Sequence, residues 1–143
     1  MNHEFYLDFV IADFEDITHD EISQSLGMNP RKVFIKGEKK YPNSAAKTLA
    51  KRSQWIISSS LDKHLTFEDH LNAMMDLLEP KIDLLKPLCE KYTCFFSCAI
   101  FFVTDDSISM PSIYLNGRYN KLVRELKVDF DFDLYCLPQK SDF

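Results

Sequence analysis

Glycine is scarce in this 143-residue chain, which has only three. Loops that cradle phosphate through close backbone approach are therefore hardly possible, and neither GxGxxG nor GxxxxGK[ST] occurs. No GxSxG elbow and no HExxH pair is present either. Apolar runs are short. The longest, Thr93 to Val103, is about half the ~20 residues that span a bilayer. The N-terminus has no basic region before its apolar residues and carries Glu4 and Asp8, which is unlike a signal peptide. A cytoplasmic setting with free thiols is expected, and no membrane partner. Cysteine is sparse as well (Cys89, Cys94, Cys98 and Cys136). On a strand Cys94 and Cys98 would lie ~13 Å apart, too far for a disulfide or a shared zinc. Catalytic residues, metal ligands and cofactors are all assigned as none.

What the chain does have is phenylalanine, 12 in all, and a hydrophobic fraction of 45%. Both suit one packed domain over residues 1–143, with 139–143 as a frayed tail. Its net charge of −5 conceals an asymmetry. Between Met28 and Gln54, eight basic residues (Arg31, Lys32, Lys36, Lys39, Lys40, Lys47, Lys51, Arg52) face one acid, Glu38. This +7 segment leaves −12 on the remainder.

Alternation at period two marks two half-buried strands. Glu4 to Ala12 sets Phe5, Leu7, Phe9 and Ile11 against a side that carries Asp8. Val128 to Leu137 sets Phe130, Phe132 and Leu134, an inner wall of the core, against Asp129, Asp131, Asp133 and Tyr135. Successive aspartates of that ladder are ~7 Å apart and point in parallel, so they do not converge on a cation. Thr18 with Glu21 forms a capping box for a helix that Gly27 ends. Lys32 to Lys36 predicts a brief strand, and Ala45 to Arg52 one or two helical turns. Gln54 to Leu61 is a strand in which Trp55 is either core or the anchor of a binding surface. From Thr66, apolar residues at helical spacing predict a long helix interrupted at Pro80 and Pro87, with His64 and His70 near its exposed start. Thr93 to Val103, apolar on both sides, predicts a strand covered on both faces. Ile108 to Ile113 predicts a short edge strand, and Asn116 caps a last helix.

This order indicates an α+β fold with a mostly antiparallel sheet and a long kinked helix packed on it. A ferredoxin-like split βαβ core would be extended by a further strand-helix-strand. The terminal strand is expected beside the first, which would bring Asp8 next to the ladder.

The succession DEISQSLGMNP, a basic loop, SQWIISSSLD, a helix with LLEP and a final DFDLY resembles the bacterial domain-of-unknown-function family numbered 4279. Its landmarks here are Leu26-Gly27, Pro30, Trp55, Pro80 and Asp133-Tyr135. The resemblance implies a fold and a bacterial cytosolic setting, carries no mechanism, and raises an immunity-type role as one hypothesis.

Three functional readings follow. The first is a non-enzymatic protein-binding module whose acidic face (Asp8, Asp129, Asp131, Asp133, Tyr135) meets a basic effector or toxin domain. The second is a ligand-binding or enzymatic pocket between sheet and long helix. The third is nucleic-acid binding through the basic segment 31–52, which has few aromatics to stack bases and an acidic body behind it. Self-association as a dimer stands beside all three.

Overall fold

A computed structural model of the chain describes residues 2–138. Five strands form one sheet: β1 (Glu4–Ala12), β2 (Lys32–Phe34), β3 (Gln54–Ser58), β4 (Thr93–Val103) and β5 (Asp129–Leu137). Their spatial order is β2-β3-β1-β4-β5. The β2–β3, β3–β1 and β1–β4 pairs are antiparallel, and β4–β5 is parallel. The helices are α1 (His19–Leu26), α2 (Phe67–Leu78), α3 (Ile82–Lys91) and α4 (Gly117–Glu125). A 3₁₀ turn, Glu79–Lys81, joins α2 to α3 where Pro80 lacks the amide that an α-helix would use. The fold is α+β with a mostly antiparallel sheet and one long, broken helical segment.

Local sequence chemistry sets the helix ends. Thr18 and Thr66 both make reciprocal capping boxes, with Glu21 and Asp69, and the Asn116 side chain accepts the Tyr119 amide. Gly27 ends α1 in the left-handed region at φ 64°, which favours a residue without Cβ.

All four helices pack on one side of the sheet. Phe9, Ile11, Trp55 and Phe96 meet Ile22, Phe67, Leu71, Met74, Met75 and Leu78 there, all of them fully buried. Among the described residues the other side has no helix. Its apolar residues form a small cluster of Val10, Ala12 and Ile56, with Phe34 and Phe95 packed against it.

Several expectations change against this frame. The terminal strand does not lie beside the first, because β3 and β4 occupy both edges of β1 and leave β5 only the outer edge of β4. β4 is covered on one side: Cys94, Phe96, Cys98 and Ile100 are buried, whereas Phe95, Ser97, Ala99 and Phe101 are half-buried. Ile108 to Ile113 is irregular, since β5 has taken the edge on which it could have paired and Pro111 lacks an amide. Ala45 to Arg52 is not helical. Lys39 bridges Leu49, and the Lys40 and Ala50 amides donate to the Thr48 and Glu38 carbonyls, folding the basic segment into an arm. The inner wall expected of β5 is incomplete. Phe130 is half-buried, but Phe132 is 37% and Leu134 61% exposed. The tail 139–143 lies outside the described residues.

Candidate functional site: the uncovered face of the sheet

Register assembles this face. Asp8 stands opposite Ser58 on β3 and Ser97 on β4, and Ser97 stands opposite Asp131 on β5. One transverse row therefore reads Ser58, Asp8, Ser97, Asp131. The next reads Tyr6, Ala99, Asp133, and the one beyond it ends in Phe101 and Tyr135. Asp8, Asp129, Asp131, Asp133 and Tyr135 thus share the uncovered side, but Asp8 is two strands from the ladder, about 10 Å at ordinary strand spacing.

The carboxylates of this face fall into two classes. Asp8 accepts from Arg31 at 3.0 Å; burial pushes its pKa up, and the Arg31 guanidinium pulls it back. Glu4 is held below the usual range by Lys63 at 2.9 Å and by the Tyr6 hydroxyl. On β5, by contrast, Asp129, Asp131 and Asp133 are exposed, and no cation pairs with them among the described residues. Beyond Asp133 lies an aromatic row: Tyr135 stacks on Phe101 at 4.7 Å, and Tyr6 meets Phe101 edge-on at 5.7 Å.

The basic residues occupy the opposite end of the sheet. Arg31 is spent on Asp8, Lys36 on Glu15 at 3.3 Å, and Arg52 on Asp13 through two bonds of 2.9 and 2.6 Å. Arg52 also lies over the Phe95 ring, and Lys39 donates to the Ser44 carbonyl. Lys32 and Lys40 sit over Phe34 and Tyr41. Lys47 and Lys51 are exposed on the arm. The two aromatics available to stack a base are therefore already covered by lysines of the same arm.

Trp55 is not a surface anchor. It is completely buried, because odd-numbered side chains of the inner strand β3 face the helices, and its indole N–H donates to Ser23 Oγ at 3.0 Å.

One polar side chain is buried against expectation. His70 is not at the surface but 1% exposed, on the α2 stripe that also carries Phe67, Leu71 and Met74. Its Nδ1 is 2.6 Å from Ser59 Oγ, and its Nε2 is buried without a hydrogen-bond partner. Burial lowers its pKa, and the Asp62 carbonyl and the charges of Asp69 and Asp62 oppose that shift. The pair lines a cavity of about 180 Å³ that Asp8, Arg31, Ser58 and Ser60 also line. The signal in the sequence was position: His70 falls in step with the apolar stripe.

No helix is long and apolar enough to cross a membrane among the described residues. No curated protein and no solved structure matches the chain. A family model described as a domain of unknown function (DUF4279) matches residues 3–137. That match takes in every strand and helix of the fold and both ends of its acidic strand, and the chain belongs to this family.

Proposed function

We propose that this protein is a non-enzymatic binding module that docks a basic protein partner on the acidic margin of its uncovered sheet face. In its concrete form the role is that of a bacterial, cytosolic immunity-type protein that occludes a basic toxin domain. One observation carries the reading: the β5 aspartates are exposed and have no cation beside them among the described residues, whereas Asp8, Asp13, Asp16 and Asp76 each have one. Uncompensated like charge along a strand opposes folding, and a cationic partner would relieve it. The −12 carried outside the basic segment would speed encounter and fix orientation. The fold suits such a face. The order β2-β3-β1-β4, antiparallel throughout, supports a ferredoxin-like split βαβ core to which β4-α4-β5 adds a margin.

The test is co-expression with a toxin-domain protein encoded beside the gene, followed by stopped-flow association of the purified pair. Asp129→Asn, Asp131→Asn and Asp133→Asn together should abolish protection, slow association and flatten its salt dependence. Equal association rates at low salt would sink the proposal, and a neighbourhood without a toxin-domain gene would sink the immunity version.

A second reading, a small-ligand or enzymatic pocket between the sheet and α2, is favoured by His70, whose buried Nε2 has no partner beside the 180 Å³ cavity. Fragment binding that shifts the His70 ring resonances would favour it over the docking face.

A further inference from the structure

β5 closes one end of the sheet. β4 takes one of its edges, and among the described residues no strand follows on the other. Alternate residues of an outer strand direct both N–H and C=O away from the sheet. Nine residues long, β5 offers such an edge over about 30 Å.

Its two side-chain rows differ in chemistry. Asp129, Asp131 and Asp133 stand on the uncovered face. On the helix side, Phe130 stacks on Phe96 at 5.3 Å and meets Tyr119 at 5.7 Å, so α4 covers the start of the strand. Further along, Phe132 and Leu134 stay exposed, although their neighbours across β4, Cys98 and Ile100, are fully buried. A strand laid along the edge would cover this apolar row from one side and meet the acids from the other.

A second copy is the poorer fit, because β5 carries no cation to set against its own acids. Full-length antiparallel pairing of β5 with itself would set Asp133 against Asp133, and in-register parallel pairing would oppose every aspartate to itself; like charges directly opposite destabilise a sheet. The other outer strand, β2, has only three residues and would leave most of β5 unpaired.

We propose that β5 receives an extended segment of a partner protein as a sixth strand, one whose side chains alternate between Lys or Arg and apolar residues. Its cations meet Asp129, Asp131 and Asp133, and its apolar residues cover Phe132 and Leu134. This rests on the reading of the acidic margin as a binding surface and adds the mode: backbone pairing supplies affinity, and the alternating rows supply selection. Strands without cations are turned away by the three unpaired carboxylates.

The probe is a nine-residue peptide of alternating Lys and Val, added to the whole protein. Controls are a peptide of the same composition with its lysines in one block and an alternating peptide N-methylated at every amide. Amide exchange on β5 is followed by NMR. The alternating peptide should slow exchange at the outward-facing β5 amides about tenfold or more, and neither control should do so. The mode is overturned if the N-methylated peptide binds equally well, if the outward amides gain no protection, or if no binding is seen at about 1 mM. Binding that the three Asp→Asn changes weaken, but that leaves those amides unprotected, overturns strand addition while the acidic-face reading stands. Binding that those changes leave untouched overturns the acidic-face reading itself.

Discussion

Ser59 Oγ and His70 Nδ1 lie 2.6 Å apart in the interior, tying the chain just past β3 to the sheet-facing side of α2. Ser59 is 8% exposed, so each side chain is the other's substitute for water. Removing the hydroxyl strands a buried ring nitrogen. Ser59→Ala should cost about 1–3 kcal/mol in denaturant unfolding, whereas Ser60→Ala, at an exposed neighbour, should cost much less.

The same imidazole predicts a pH dependence. Burial lowers the folded pKa of His70 from its ordinary value of 6.5. The unfolded chain therefore takes up the proton first as pH falls, and stability contributed by the neutral ring declines from about pH 6.5 downward until the folded pKa is reached. Asp8, pushed the other way by burial, works in the opposite sense but is common to wild type and variant. Unfolding midpoints of wild type and His70→Asn should converge between about pH 7.5 and pH 5. A constant gap would contradict the assignment.

Trp55 is the sole tryptophan, so emission reports one environment. Its complete burial predicts blue-shifted fluorescence that moves to the red on unfolding. Trp55→Phe leaves a void and removes the indole N–H that Ser23 Oγ accepts, although that hydroxyl still donates to the His19 carbonyl, and chemical denaturation should show a loss of about 1–3 kcal/mol.

Two changes test α1. Thr18→Ala deletes the capping side chain and should cost about 1 kcal/mol, with Thr18→Ser close to neutral. Gly27→Ala meets only Lys81 Nζ, at 3.5 Å, so its cost of about 1 kcal/mol should come from the positive φ rather than from a clash.

The β5 ladder makes a prediction that needs no partner. Replacing Asp129, Asp131 and Asp133 together by Asn removes repulsion along the strand, so the variant should melt above wild type at low ionic strength. The difference should vanish near 1 M salt, where the Debye length is about 3 Å. A variant that melts lower at low salt would mean that the carboxylates have favourable partners.

Local patterns carry their own physical signature. Thr18 with Glu21, Thr66 with Asp69, Asn116 and Gly27 act within one turn of backbone, so neighbouring residues alone determined where those helices begin and end. Alternation likewise determined that Asp129, Asp131 and Asp133 share one side of a strand. Which strand stands beside which depends on pairings across scores of residues, and these only the tertiary structure decided. It gave β4 rather than β1 to β5, left Phe132 and Leu134 uncovered, and turned Ile108 to Ile113 from a strand into a loop. His70 falls in step with an apolar stripe, but its polarity predicts the surface, and only Ser59, eleven residues back and just past β3, makes its burial tolerable. The sequence by itself determined an acidic row on a strand. Because β3 and β4 fill both edges of β1, tertiary structure made that strand the margin of the sheet, paired with β4 on one edge and, among the described residues, with its outward backbone groups and its carboxylates left without partners.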